Sequence, residues 1–300
     1  MIRQLFSGGA LATLLAAGLL APAPVTAGPA PAPAVAFDVA YRRSAAAMVA
    51  AGPPYAEWAG TGRRFLAFDP AGDGLAVEAV GDLDHADRIV VLVPGVATTL
   101  RDFDRGLGGV PGRAPARQAR TVYAALRATD PAARVAVVAW LGYDPPEGLG
   151  LAAARPERAR GGAARLAAFA ADLAALRPHA AVTLVGHSYG ALVVGLAAAR
   201  LPRQVTDLVT LGGIGTGVDT AASLHTPARV WAAEAPDDWV RQIPQLRLGD
   251  LGHGVRPGSA RFGARRLPTD GVPGHDGYLA PGTGTVRALA ALVLRAEAVR

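Results

Sequence analysis

A serine, two aspartates and a histidine occur in the order that nucleophilic acyl chemistry requires. Ser188 lies at the centre of a Gly-x-Ser-x-Gly motif, Asp237 and Asp238 follow a later apolar run, and His275 comes later still. A serine hydroxyl is a weak nucleophile at neutral pH, so it needs a neighbouring base, and that base needs an orienting carboxylate. These residue types therefore indicate attack of a serine oxygen on an acyl carbon.

The serine motif lies between two segments that can hold it in a sharp turn. Residues 182–185 are a short apolar run rich in β-branched residues, and residues 191–200 form an apolar helical run. In such a strand–turn–helix context the motif becomes a nucleophile elbow, with the hydroxyl at the top of a sheet. The turn brings strand and helix close together, so we expect it to require the small residues Gly186 and Gly190. The alternative is a tight connection with an inert, buried serine.

Two aspartates compete for the role of the orienting carboxylate. Asp237 and Asp238 both lie in the loop after the predicted strand 229–233. We favour Asp238, because an acid followed by Trp239 and Val240 matches an Asp-x-hydrophobic pattern common at this position in hydrolases. Asp237 remains the alternative acid. A further alternative is that both aspartates only cap the next turn.

The order of residues along the chain selects the base among six histidines. His275 alone follows both the acid and the last predicted strand. His253 follows the acid but precedes that strand, which makes it the alternative. The remaining histidines are excluded by their order or position: His85, His179, His187 and His225.

The oxyanion of an acyl-transfer transition state needs preorganised N–H donors. One expected donor is the backbone amide of Tyr189, the residue after the nucleophile. The other is the backbone amide of Val96, in the loop that follows the third predicted strand. Gly95 would let that backbone approach the substrate. The alternative is that Pro94 and Gly95 form an ordinary turn.

Apolar runs alternate with helical segments along most of the chain. We expect strands at residues 64–68, 75–80, 88–93, 135–139, 182–185, 205–211, 229–233 and 262–267. We expect helices at residues 38–51 (capped by Asp38), 114–128, 151–176 with a break near Gly161-Gly162, 191–200 and 285–299, and a loop at 140–149. This alternation predicts an α/β protein with a mostly parallel central sheet and helices on both faces.

The composition argues against several function classes. Hydrophobic residues make up 51% of 300 residues, and the net charge is +6. All 30 basic residues are arginines, and they are scattered rather than clustered with aromatic residues, so we expect no nucleic-acid partner. The absence of cysteine excludes disulfides and thiolate metal sites. We expect no metal and no cofactor, because no dinucleotide fingerprint or familiar ligand spacing occurs.

The N-terminus predicts export. Arg3 precedes an apolar stretch at residues 8–20, which has the length of a signal-peptide core, and small residues follow up to Ala27. We therefore divide the chain into a signal peptide (1–27), a Pro/Ala-rich linker (28–36) and a single domain (37–300), secreted or associated with the cell envelope. The alternative is an uncleaved N-terminal membrane anchor.

Several motifs together resemble one known family. They are Val-Pro-Gly-x-x-Thr from Val93, Gly-His-Ser-Tyr-Gly from Gly186, the stretch Arg229 to Val240, and Gly-His-Asp-Gly-Tyr-Leu from Gly274. Together with Gly-His-Gly, Phe-Gly-Ala-Arg-Arg and Pro-Thr-Asp-Gly, they resemble the actinobacterial α/β-hydrolase family known as DUF1023, over about residues 60–295. The resemblance implies the α/β-hydrolase fold and a triad of Ser188, Asp238 and His275. It implies no particular substrate.

These observations predict a serine hydrolase that cleaves an ester, thioester or amide bond. We expect a small-molecule or lipid-like acyl substrate and no stable protein partner. The alternatives are an acyltransferase on the same fold and a catalytically silent binding module. Four aromatic residues are expected either to line an apolar cleft or to pack in the core: Trp140, Tyr143, Trp239 and Tyr278.

Overall fold

The centre of the protein is an eight-stranded sheet, seen in a computed structural model that describes residues 36–296. The strands are β1 (Arg64–Asp69), β2 (Leu75–Gly81), β3 (Arg88–Val93), β4 (Val135–Leu141), β5 (Ala181–His187), β6 (Val205–Leu211), β7 (Arg229–Ala233) and β8 (Arg265–Arg266). Their spatial order is β1-β2-β4-β3-β5-β6-β7-β8. β1 and β2 form an antiparallel hairpin, β2 pairs antiparallel with β4, and the remaining pairs are parallel.

Seven helices connect and cover the strands within the described range. They are α1 (Phe37–Ala51), α2 (Tyr55–Gly60), α3 (Pro115–Thr129), α4 (Leu151–Ala154), α5 (Glu157–Leu176), α6 (Gly190–Ala197) and α7 (Gly284–Arg295). The apolar sides of α5 and α6 pack in one cluster with alternate residues of the central strands. Those of α3 and α7 pack on the opposite face.

The central strands read as continuous apolar runs because both of their faces are covered. Residues Ile89 to Val93 of β3 and every residue of β4 are buried. Ile89 and Val91 point to the α5–α6 side, whereas Val90 and Leu92 point to the α3–α7 side. This alternation is the pattern expected for parallel strands between two helical layers. The predicted α/β fold class is confirmed.

The predicted break in the helix over 151–176 was misplaced. The helix is interrupted at Arg155-Pro156, because proline has no N–H to donate and forces the residue before it into an extended conformation. Gly161 and Gly162 lie inside α5. A Cβ added at Gly162 would lie 2.9 Å from the Tyr143 ring, so this glycine permits close packing rather than a break.

Other predicted bounds and one predicted cap also differ from the structure. Trp140 belongs to β4 rather than to a loop, because the antiparallel pairing with β2 extends to Leu141. The last strand is only Arg265–Arg266, since Gly263 adopts a left-handed conformation that ends the preceding turn. Asp38 lies in the first turn of α1 and does not cap it.

The predicted signal peptide (1–27) and almost all of the predicted linker (28–36) lie outside the described residues. Both remain predictions, as do export and the alternative of a membrane anchor. Between residues 36 and 296, no helix is long and apolar enough to cross a membrane.

Candidate functional site

Ser188 lies on a strained turn between the end of β5 and the start of α6. Its φ of 54° places it in the left-handed region that residues with a Cβ rarely adopt. A Cβ added at Gly186 would lie 2.4 Å from Gly190 O, and one at Gly190 would lie 2.3 Å from Val93 O. Both glycines are therefore required by the close approach of strand and helix, which is the geometry of a nucleophile elbow.

His275 and Asp238 form a buried hydrogen-bonded pair. His275 Nδ1 lies 2.8 Å from Asp238 Oδ1, and the two residues are 9% and 2% exposed. Asp238 follows β7 and precedes a short 3₁₀ turn, whose Val240 N–H it also binds at 2.8 Å. Because an ionised carboxylate only accepts hydrogen bonds, Nδ1 carries the proton. The lone pair of Nε2 is then available to accept one.

The environment of Asp238 keeps its carboxylate ionised. Burial raises the pKa of Asp238, but hydrogen bonds from His275, the Tyr278 hydroxyl and the Val240 amide outweigh burial and lower that pKa below its ordinary value. The Tyr278 hydroxyl donates to Asp238 Oδ2 at 2.6 Å and accepts from the Ala235 N–H at 2.8 Å. Tyr278 thereby fixes the orientation of the carboxylate, because both its oxygens are held.

The structure brings Asp238, and not Asp237, to the histidine. Asp237 is exposed on the outer side of the same loop. His253 is buried, but its Nε2 binds Ala153 O at 2.6 Å and not an acidic residue. His85 pairs with Asp82 on the surface, and His179 is also exposed.

Ser188 and His275 line the same cavity. Within the described residues, no hydrogen bond joins Ser188 and His275. Contacts of this kind are often long in ligand-free active sites and tighten when substrate binds. A Cβ added at Gly95 would lie 2.8 Å from the Ser188 Cβ, so the loop after β3 passes directly over the serine.

Both predicted oxyanion donors lie close to Ser188: Tyr189 is the next residue in the chain, and Val96 is near it in space. Tyr189 is the residue before the first turn of α6, where backbone N–H groups have no partner within the helix. Val96 lines the cavity together with Ser188. Within residues 36–296 neither amide donates to a protein acceptor. Both amides are therefore available to a ligand.

His187 contacts both the backbone and the ring of His275. Its Nε2 donates a 2.8 Å hydrogen bond to His275 O, and the two rings lie 4.8 Å apart. Burial, followed by the proximity of His275, lowers the pKa of His187 to about 4. A neutral His187 adds no positive charge beside His275.

Side chains of His187, His275 and Asp276 could reach a common metal ion, since one ligand atom of each lies within 4.8 Å of the others. Each of these side chains already has a protein partner. His275 binds Asp238, His187 binds a backbone oxygen, and Asp276 pairs with Arg113 at 2.8 Å. That no metal is needed remains a prediction.

Two cavities meet at Ser188. The first, of about 250 Å³, includes the histidine, and we name it the polar cavity. The second, of about 330 Å³, is also lined by Ser188 but not by His275, and we name it the apolar cavity. Side chains found only in the polar cavity include Thr98, Leu107, Arg113, Gln118, His275 and Asp276. Those found only in the apolar cavity include Ala153, Ile214, Ile243, Pro244 and His253.

Of the four aromatic residues considered in the sequence, only Trp239 lines the cavities. Its ring lies 4.7 Å from that of His275. Trp140, Tyr143 and Tyr278 are buried. Sequence reasoning missed the hydrogen bond from Tyr278 to Asp238, because the two residues are distant in the chain and no local pattern indicates their contact.

The chain matches the family model described as "Alpha/beta hydrolase" over residues 69–248. It is 32% identical over 256 residues to the uncharacterized protein Rv2079 of Mycobacterium tuberculosis, covering 75% of this chain and 38% of that protein. It is 34% identical over 169 residues to the uncharacterized protein Mb0988c of Mycobacterium bovis, covering 54% of this chain and 62% of that protein. The chain thus spans less than two thirds of each relative.

Solved structures of hydrolases are also similar. A dienelactone hydrolase from Anabaena variabilis has a TM-score of 0.44 and 20% identity, covering 77% of this chain and 94% of that one. The thioesterase domain from the curacin biosynthetic pathway has a TM-score of 0.45 and 15% identity, covering 77% of this chain and 98% of that one.

Proposed function

Because the chain belongs to the alpha/beta hydrolase family, we propose that it is a serine hydrolase that cleaves an ester, thioester or amide bond through an acyl-enzyme. The observation that carries the proposal is the buried pair of His275 and Asp238 in the cavity that also holds Ser188. Ser188 is the nucleophile, His275 the general base and acid, and Asp238 the orienting carboxylate.

In the first half of the reaction, Ser188 Oγ attacks the acyl carbon and its proton passes to His275 Nε2. The amides of Tyr189 and Val96 stabilise the resulting oxyanion. The bond to the leaving group breaks, and Nε2 donates the proton to the departing oxygen, sulfur or nitrogen. An acyl-Ser188 ester remains.

In the second half, a water molecule replaces the leaving group. His275 Nε2 removes a proton from the water as the water oxygen attacks the acyl carbon. Collapse of the oxyanion releases the carboxylic acid, and the proton returns to Ser188 Oγ. Asp238 stays ionised throughout and stabilises the imidazolium that forms twice in the cycle.

The proposal is tested by turnover of p-nitrophenyl butyrate. We expect a rapid release of p-nitrophenol followed by a slower steady rate if the acyl-enzyme accumulates. Ser188→Ala and His275→Ala should each remove turnover while circular dichroism shows that the fold is retained. A Ser188→Ala variant as active as the wild-type protein would overturn the proposal.

A further inference from the structure

The two cavities at Ser188 differ in the chemistry of their walls. None of the described residues that line the apolar cavity is ionised. Its one titratable side chain, His253, has a pKa lowered by burial and is therefore neutral. The polar cavity instead contains a guanidinium group from Arg113, a carboxylate from Asp276 and the amide of Gln118.

The position of His275 assigns the two halves of a substrate to the two cavities. His275 lines the polar cavity and not the apolar cavity. In the proposed mechanism the protonated histidine donates to the leaving group, so the leaving group must lie on the side of His275. The acyl group then extends to the other side of Ser188, into the apolar cavity.

The polar cavity has donors and acceptors but little net charge. Arg113 and Asp276 pair at 2.8 Å, and each side chain is 38% exposed. The positive charge of Arg113 and the negative charge of Asp276 offset each other. The cavity therefore disfavours both an anionic and a cationic leaving group. Hydrogen-bonding capacity nevertheless remains. Among the described residues, the Gln118 amide uses its nitrogen on Gly112 O and its oxygen has no partner, and Arg113 has guanidinium N–H groups beyond the one that binds Asp276.

An uncharged group that bears hydroxyls can satisfy the polar side chains of this cavity, whose remaining walls are mostly apolar. Each hydroxyl both donates and accepts a hydrogen bond, so adjacent hydroxyls can accept from Arg113 and donate to Asp276 or Gln118. The Arg113 side chain is 38% exposed and lines this cavity, so its terminal guanidinium N–H groups can donate to a ligand oxygen. We propose that the substrate is an ester of an apolar, uncharged acyl group with a sugar or polyol, whose hydroxyls bind Arg113 and Asp276 in the polar cavity.

This inference rests on the proposed function, and its test compares esters that share one acyl group. The substrates are methyl hexanoate, glucose hexanoate esterified at its primary hydroxyl, and glycerol phosphate hexanoate. All three give the same acyl-enzyme, so the step that follows acylation is common to them. Differences in kcat/KM therefore report only the leaving-group side.

We expect the wild-type protein to prefer the glucose ester over the methyl ester by about tenfold or more, as one or two hydrogen bonds to a charged group would give. Arg113→Met should remove this preference, because kcat/KM for the glucose ester should fall by about tenfold more than kcat/KM for the methyl ester. Arg117→Met is the matched control, because Arg117 lies on the exposed side of α3 and binds Asp104 O. It should retain the preference.

Several results would overturn the inference while leaving the proposed function intact. They are equal hydrolysis of the methyl and glucose esters, an equal loss for both esters in Arg113→Met, and a preference for the phosphate ester. Each of these still requires Ser188-dependent turnover of methyl hexanoate. Loss of that turnover would instead count against the proposed function.

A binding measurement covers the case in which no ester is turned over. Ser188→Ala keeps both cavities, so glucose hexanoate should bind to it by calorimetry. Adding Arg113→Met should weaken this binding by about tenfold. No binding to Ser188→Ala, or equal binding to both variants, would overturn the assignment of the polar cavity.

Discussion

The Tyr278 hydroxyl donates a 2.6 Å hydrogen bond to Asp238 Oδ2, opposite the oxygen that binds His275. The same hydroxyl accepts from the Ala235 N–H, which fixes its direction. In the proposed mechanism Tyr278 is thus a positioning residue. It holds the carboxylate through Oδ2 and helps to lower the pKa of Asp238.

Tyr278→Phe should therefore lower kcat by about tenfold and leave KM nearly unchanged, since one hydrogen bond to a charged group is lost. The pKa of Asp238 should rise, and nuclear magnetic resonance of the carboxyl carbon measures that rise. Tyr123→Phe is the matched control, because the Tyr123 hydroxyl makes no hydrogen bond to the described residues. A lower kcat without a change in the Asp238 pKa would contradict the positioning role.

Neighbouring aspartates allow a direct test of the acid. Asp238→Asn should reduce kcat by about 10⁴-fold, as loss of the orienting carboxylate does in serine hydrolases. Asp237→Asn should change kcat less than twofold, because Asp237 is exposed and does not contact His275. Steady-state kinetics of both variants on one ester provides the measurement. An equal loss of kcat in the two variants would refute the assignment of Asp238 as the orienting carboxylate.

The strain at Ser188 predicts that glycine at this position gives a more stable protein than alanine. The φ of 54° costs about 1 kcal/mol or more for a residue with a Cβ, and glycine avoids this cost. Ser188→Gly should thus be more stable than Ser188→Ala by about 1 kcal/mol in urea unfolding. Ser44 in α1 is the control, since Ser44→Gly should be less stable than Ser44→Ala by a similar amount.

The glycines of the site and of α5 should respond in opposite ways to alanine. Gly190→Ala should prevent folding or remove several kcal/mol of stability, because its Cβ would lie 2.3 Å from Val93 O. Gly161→Ala should stabilise the protein by about 0.5–1 kcal/mol, because Gly161 is helical and has open space around its Cα. Thermal unfolding compares the two. A tolerated Gly190→Ala would contradict the described elbow.

His187 makes stability depend on pH in a defined window. Its pKa is about 4 in the folded protein and 6.5 ordinarily, so between these values the unfolded chain binds a proton that the folded protein does not. The free energy of unfolding should therefore fall as the pH falls from 6.5 to 4. His187→Gln should flatten this dependence, whereas His85→Gln, at a side chain 73% exposed, should not. Urea unfolding at several pH values decides between these outcomes.

Much of this arrangement could be predicted from the sequence because it depends on local patterns. The bounds of β3, β6 and β7 agree with the prediction, because each strand contains a run of β-branched and other apolar residues that ends at a turn signal. Chain order selected His275, which does contact Asp238. The glycines Gly161 and Gly162 did not reveal whether the helix continues through them. That depends on the tertiary packing of Gly162 against Tyr143, which the sequence does not show.

Other features could not be predicted because they depend on contacts distant in sequence. The residues that follow Asp238 favoured it over Asp237 as the acid, but the burial of one and the exposure of the other follow from the direction of one loop, which the sequence pattern does not show. Arg113 and Asp276 are far apart in the chain but line one cavity. Their pairing depends on how the loop before α3 packs beside the loop that carries His275.

The most direct test of the central claim is intact-mass analysis after exposure to a small fluorophosphonate. An activated serine attacks the phosphorus, fluoride leaves, and the protein gains the mass of one phosphonyl group. We predict a single adduct on the wild-type protein and none on Ser188→Ala or His275→Ala. A folded wild-type protein that gains no adduct, or a Ser188→Ala variant labelled as fully as the wild type, would contradict a nucleophilic Ser188.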